Sequence, residues 1–524
     1  MPPLTLMLAN ALEQTLANPS ASHRWHTLGA LYMAQVSADQ QAYVCDALLR
    51  GVPGTGEVGF FRATFLAEYT KNAQYSAQAG LILQSVSPFD ADRHMAFCVY
   101  EWGRQALGQG SRPQGADALR LALVPESMQR IGQALALPDG LFGVAARQGA
   151  LRRVAIVAPY ISGYQHPPSM LALQHARLLA ASGIEAHVFS AQELRVNHMA
   201  DYLGSKGQIH LAAPTLEELQ PHLADGVGLT LCDERFSVLR RCQDVLQAVA
   251  AFAPDAVIFV GMMSPLMAPI SAAVPTLGLC VHALQPMAAV DAWLTSDPTQ
   301  HGQWSQSWGP SLPPSQAIYH PYRVALKPCT QTARRADLDL TPDALVLITA
   351  GARLAYEVEG DWAARMLHWL HHHSQAVWLL VGGDASVPPA LRLAMDTGAL
   401  RILPHQSDLR GLLRYADIYA NPPRLGGGFS VAEAMAEGLA VASMANGDGG
   451  DKVGPTATST LDDYFAQLSA WAAHANARKA AGQALQQRFE ATLNLDRSGP
   501  SLLAALHTVQ ALFAQRSVSA PAAR

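Results

Sequence analysis

The sequence predicts an α/β protein with two successive doubly wound domains preceded by an all-helical domain. Three observations carry that prediction. Continuous apolar runs at residues 154–158 and 344–350 each open an alternation of strand-like and helix-like segments. Before the first run, apolar residues recur at three- and four-residue spacing and β-rich runs are scarce. Between the two alternations lies a Pro- and Ser-containing connection around residues 305–327.

The chain has 524 residues, half of them hydrophobic and 15% charged, so it can bury large cores and needs more than one. A formal net charge of −5 supplies no basic face, which argues against a nucleic-acid partner. The six cysteines (Cys45, Cys98, Cys232, Cys242, Cys280 and Cys329) are far apart and lack Cys-x-x-Cys spacing. Reduced thiols in a cytoplasmic protein explain them better than disulfides or zinc. Residues 4–12 are apolar but have no basic flank, and read as a first amphipathic helix rather than a signal peptide. Nowhere is there an uninterrupted apolar run long enough for a membrane span.

Leu12, Leu16, Trp25, Leu28, Leu31 and Tyr32, and later Phe60, Phe65 and Tyr69, set the helical period of the leading domain, residues 1–147. Its helix pairs suggest a repeat, but no convincing 34-residue self-similarity exists. At Leu151 the texture changes. A basic lead, Arg152-Arg153, enters the first apolar strand; a loop at 160–168, a helix at 170–181, a stop at Gly183 and a strand at 186–189 complete a β-α-β unit. Residues 254–260 and 276–281 add strands to this domain, which spans 148–315. The second domain, 316–500, takes strands at 344–350, 376–381 and 400–403 and a helix at 362–371. Helical sequence follows at 461–515, the last segment is 501–524, and Ser517 onward looks frayed.

Ligands of open parallel sheets bind beyond the carboxyl ends of strands, so the strand-to-helix loops are candidate walls of one cleft. The most informative is Asn421-Pro422-Pro423-Arg424-Leu425-Gly426-Gly427-Gly428-Phe429-Ser430, which leads into a helix carrying Glu433. Three glycines let backbone amides approach a phosphate, and a helix start adds free N–H groups and a favourable dipole. Ser430 and Glu433 also fit the Ser-x-x-Glu capping box, which would close a helix end with no ligand at all.

Residues 412–451 resemble the donor-binding half of GT-B glycosyltransferases, which are built from two Rossmann-like domains. The resemblance rests on Tyr415-Ala416-Asp417-Ile418-Tyr419-Ala420-Asn421-Pro422, the glycine loop, Glu433-Ala434-Met435-Ala436-x-Gly438 and Gly447-Asp448. It implies that Glu433 binds the ribose of a nucleotide and that Gly426, Gly427, Gly428, Phe429 and Ser430 face a diphosphate, with Asp448 close by. The E-x7-E families place a further Glu at position 425, here Leu425, so retention of configuration is not implied. Ala350-Gly351-Ala352-Arg353-Leu354 resembles the Gly-Arg-Leu element whose arginine pairs with donor phosphates; the customary lysine would fall near Glu359. Ala268-Pro269-Ile270, Val281-His282 and residues 290–297 are similar to O-GlcNAc transferases and bacterial adhesin glycosyltransferases, which also carry a leading helical domain.

The resemblance covers roughly residues 150–515 and implies a metal-independent transferase. It would move a sugar from a nucleotide-diphosphate donor, UDP by default, to a protein or glycan acceptor. No cofactor is implied, and a nucleotide-sugar epimerase or a non-catalytic binding protein of the same fold are the alternatives. His282 and His166, in loops after first-domain strands, are candidate bases, with Arg353 assisting departure of the diphosphate. His405, after the strand at 400–403, is a candidate donor contact, as is Gly351. Asp337-Leu338-Asp339 precedes a Thr-Pro pair and reads as linker acidity rather than a metal motif. His368, His371, His372 and His373 end a helix, where positive charge suits the dipole, and read as a solvated helix end.

Overall fold

The computed structural model describes residues 37–70, 72–107, 116–135, 149–163, 166–196, 214–281, 286–296, 314–326, 335–351, 353–382, 389–406, 408–424 and 426–519, with isolated positions at 138, 140–142, 312 and 329. The helical readings at Leu12 to Tyr32 and the residues His282 and Leu425 lie outside the described residues. By its contacts the chain divides into two compact units, Met1–His320 with Ser501–Arg524, and Pro321–Pro500.

In the first unit the helices Ala38–Gly51, Gly56–Thr70, Ala73–Ser85, Ala91–Leu107 and Ala116–Ala134 precede seven parallel strands. These are β1 (Arg153–Val157), β2 (Glu185–Ser190), β3 (Gly228–Leu231), β4 (Ala256–Val260), β5 (Thr276–Leu279), β6 (Ala292–Thr295) and β7 (Gln316–Tyr319), in the order β3-β2-β1-β4-β5-β6-β7. All residues of β4, β5 and β6 are buried, as expected of parallel strands covered on both faces. The leading helices share one core with this sheet: Phe60, Phe97, Ile131 and Leu135 belong to the same buried cluster as Val257, Phe259, Met263 and Leu266. Hydrogen bonds cross the same boundary. Both carboxylate oxygens of Asp92 accept the Val238 amide at 3.3 Å, at the start of helix Val238–Phe252, and Gln243 donates to the Leu135 carbonyl at 3.2 Å.

The second unit holds five parallel strands, β8 (Leu345–Ala350), β9 (Ala376–Val381), β10 (Leu400–Leu403), β11 (Ile418–Ala420) and β12 (Ala440–Ala442), in the order β10-β9-β8-β11-β12. Alternate residues of β8 face opposite ways: Leu345 and Leu347 join a cluster with Trp362, Trp378 and Tyr464, while Val346 and Ile348 join one with Val431, Met435 and Phe489. Two parallel sheets with helices on both faces, following a helical segment, make the α/β fold that the sequence predicts, of Rossmann-like, GT-B type.

Three local expectations are corrected. The helix placed at 170–181 begins at Pro167, because Pro167 and Pro168 occupy its first turn, where a missing N–H costs nothing. Strand β7 lies within the stretch read as a connection. Helix Gly499–Ser519 runs two residues past Ser517, where fraying is expected to begin, and residues 520–524 lie outside the described residues.

Candidate functional site

The order in which strands are added reverses across each sheet at one place. In the second unit β8 leads to β9 and β10 on one side, and β11 and β12 lie on the other, so the loops after β8 and β11 diverge at a topological switch point. Those loops are Gly351–Arg353 and Asn421–Gly427, and the loop after β12 runs beside them. Asn421 Nδ2 donates to Ser443 Oγ at 3.1 Å, which ties the second loop to the third.

The glycine loop is folded around a buried cation that sequence reasoning passed over. Arg424 has a side chain only 3% exposed. Its Nε donates to Asn421 Oδ1 at 2.9 Å, and its Nη2 donates to the Ala350 carbonyl at 3.0 Å and to Tyr419 Oη at 3.2 Å. Its Nη1 meets Glu357 Oε2 at 2.7 Å. Gly427 has φ +85°, and a Cβ there would overlap the Arg424 guanidinium; a Cβ on Gly351 would lie 2.6 Å from Arg424 Nη1. Both glycines therefore leave room for one side chain, that of Arg424.

Helix Gly428–Ala436 starts from Gly427 as N-cap, with no side-chain cap. Ser430 stands inside the first turn, its Oγ 2.8 Å from Tyr419 Oη and donating to the Gly427 carbonyl at 2.9 Å. The capping-box alternative for Ser430 and Glu433 is thus not realised, because the left-handed Gly427 takes the position a capping serine would need. Asp448 supplies what the cap lacks: its Oδ2 accepts the Gly428 amide at 3.1 Å, while Oδ1 is paired with the buried Lys452. Phe429 packs against the cluster around Val431 and Met435, and Glu433 lies half-buried one turn further along.

Arg353 is 49% exposed and its Nη2 meets Glu357 Oε1 at 3.0 Å. A Cβ on Gly426 would lie 2.8 Å from that same Nη2, so the guanidinium reaches across to the glycine loop. Gly351, Arg353, Gly426, Gly427, Gly428, Ser430 and Asp448 are consequently brought together. His405 is not among them: it is exposed beyond β10, an edge strand separated from β8 by β9.

In the first unit the equivalent reversal lies between β1 and β4. His166 follows β1, with Nδ1 3.0 Å from Ser169 Oγ, and burial pushes its pKa down to about 4. Glu193, after β2, is fully buried, accepts Ser264 Oγ–H at 2.8 Å on Oε1, and has no partner for Oε2 among the described residues. Burial raises its pKa to about 8, against the opposing pull of Ser264 and Arg241.

No cluster of three or more potential metal ligands occurs among the described residues. His372 and His373 turn Nδ1 toward carbonyls one turn back, and His373 stacks on Trp369 at 3.9 Å between centroids. Asp339 sits at φ +49° in the turn ahead of β8. No described helix is long and apolar enough to cross a membrane.

No family model and no curated protein matches this sequence. Solved structures do resemble the fold. An O-GlcNAc transferase of Thermobaculum terrenum matches over 99% of this chain and 100% of its own, at 12% identity and a TM-score of 0.56. A glycosyltransferase of Rickettsia africae matches over 69% of this chain and 99% of its own, at 12% identity and a TM-score of 0.48. A pneumococcal O-GlcNAc transferase in complex with UDP and GlcNAc matches over 69% and 99%, at 11% identity and a TM-score of 0.44. At such identities the likeness is one of fold.

Proposed function

We propose that this protein is a glycosyltransferase that takes a sugar from a nucleotide-diphosphate donor, UDP being the nucleotide, and passes it to a protein or glycan acceptor in the cytoplasm without a metal ion. The observation that carries this reading is the glycine loop at the β8/β11 switch point with Arg353 lying across it. Loop amides and a half-exposed guanidinium are groups that stabilise a departing diphosphate. In this reading Gly351, Arg353, Gly426, Gly427, Gly428, Phe429, Ser430 and Asp448 form the phosphate side of the donor site. Glu433 takes the ribose, and His405 approaches the nucleotide once donor is bound.

Transfer also needs a group to accept the acceptor's proton if configuration is inverted. His166 is neutral at pH 7, but a pKa of about 4 makes it a weak proton acceptor. We therefore assign the base to His282 and a supporting role to His166. Helical residues 1–147, ahead of the acceptor-side domain 148–315, would help to hold the acceptor, while 316–500 holds the donor.

The test is donor turnover. Purified protein is incubated with a panel of nucleotide sugars, with and without cell lysate as acceptor, and nucleotide diphosphate release is followed for wild type, Glu433→Ala and Arg353→Ala. Release from one donor, abolished in both variants, supports the proposal. Absence of both binding and release with every donor and with lysate rejects it in favour of a non-catalytic protein of the same fold.

A further inference from the structure

Resting on that reading, the geometry points to Glu357 and Arg424 as positioning residues that aim Arg353 at the donor phosphates. Glu357 is 12% exposed and divides its carboxylate between two guanidinium groups, Oε1 to Arg353 at 3.0 Å and Oε2 to Arg424 at 2.7 Å. The two arginines differ in kind. Arg424 is buried and locked to the ends of two strands, through the Ala350 carbonyl, Tyr419 Oη and Asn421 Oδ1. Arg353 is half exposed, at the N-cap of the short helix Leu354–Glu357, and among the described residues it pairs with Glu357 through Nε and Nη2.

That arrangement fixes one edge of the Arg353 guanidinium and leaves Nη1 directed away from Glu357. An exposed arginine samples many rotamers, and ordering it on binding costs about 1 kcal/mol or more. Here the ordering is done in advance by a carboxylate that is itself anchored to the buried frame. The same frame determines the path of the glycine loop, because Gly351 and Gly427 leave room for Arg424. One buried cation thus sets both halves of the phosphate seat, the amides directly and the outer guanidinium through Glu357.

If Glu357 acts through Arg353, the effects of removing the two must overlap. UDP affinity is measured by titration calorimetry for wild type, Arg353→Gln, Glu357→Gln and the double variant, with thermal unfolding recorded for each. The expected result is a loss of about 30-fold for Arg353→Gln and about 5- to 10-fold for Glu357→Gln, with the double variant within about twofold of Arg353→Gln. Multiplying losses, or UDP affinity unchanged or tightened in Glu357→Gln, would overturn the inference and leave the donor site standing. Should Glu357→Gln fail to fold, Glu357→Asp, which keeps the charge but shortens the reach to Arg353, replaces it in the same cycle with the same overlap expected. Wild-type protein that binds neither UDP nor any nucleotide sugar overturns the donor reading and this inference together.

Discussion

Asp448 Oδ2 accepts the backbone amide of Gly428 at 3.1 Å, so the helix carrying Glu433 has its first turn capped by a carboxylate twenty residues further along the chain. An anion at this position suits both the open N–H groups and the dipole of the helix start.

Asp448→Ala should therefore destabilise the protein by about 1 kcal/mol, since it removes an external cap and leaves the buried Lys452 without its carboxylate. Asp448→Asn, which keeps an acceptor oxygen, should cost less. Urea unfolding of both variants measures the difference, and equal midpoints for the two would contradict the capping role.

Gly427→Ala should be worse than an ordinary helix-start substitution. The residue has φ +85°, and its new methyl group would overlap the guanidinium of an arginine that cannot move aside. A loss of about 2–4 kcal/mol in chemical denaturation is expected, combining left-handed strain with overpacking. Gly426→Ala should be milder, because the atom it meets is the far end of the exposed Arg353.

Glu193 makes stability fall as pH rises from 4.5 to about 8. Its folded pKa of about 8 lies above the ordinary value of 4.5, so its contribution is fully present below pH 4.5 and is lost as pH rises through about 8. Across that window the loss is on the order of 1 kcal/mol per pH unit. Glu193→Gln should match wild type near pH 4.5 and exceed it increasingly toward pH 8 in thermal unfolding. Parallel curves would show that the carboxyl group is charged in the folded protein.

His166 works in the acid direction. Its folded pKa of about 4 lies below the usual 6.5, so its contribution is present above pH 6.5 and is lost as pH falls toward 4. His166→Gln should flatten the decline in melting temperature between pH 6.5 and 4. An unchanged decline would place the acid sensitivity elsewhere, with the buried His94, also lowered to about 4, the next group to replace.

The parts of the fold legible in the sequence were those with a strong period. β1, β4, β8 and β9 are continuous apolar runs, and the helices between them repeat at three and four residues. β3, β11 and β12 are three or four residues long, and β7 is only partly buried behind a stretch rich in proline and serine, so none produces a period. In the candidate site the glycines stood out because phosphate approach and tight turning both call for them. Arg424 did not, although an arginine inside a loop otherwise apolar or glycine-rich was a signal. Its partner Glu357 is 67 residues away, and nothing local joins the two. Ser430 and Glu433 have the spacing of a capping box, yet Gly427 is the N-cap and the Gly428 amide is taken by a distant aspartate, a contact that no local spacing shows.

The second unit, Pro321–Pro500, is inserted in the first, whose last helix follows it in the chain. Within that first unit Arg516 on the helix Gly499–Ser519 meets Asp291 at 3.2 Å, beside the buried strand β6. During synthesis the ribosome must therefore deliver the whole inserted unit before the first can be completed, so the portion made earliest is among the last to finish folding. Loss of a few turns at the carboxyl end would then be felt some 200 residues upstream in sequence, around Asp291, in nascent chains that linger and call on chaperones.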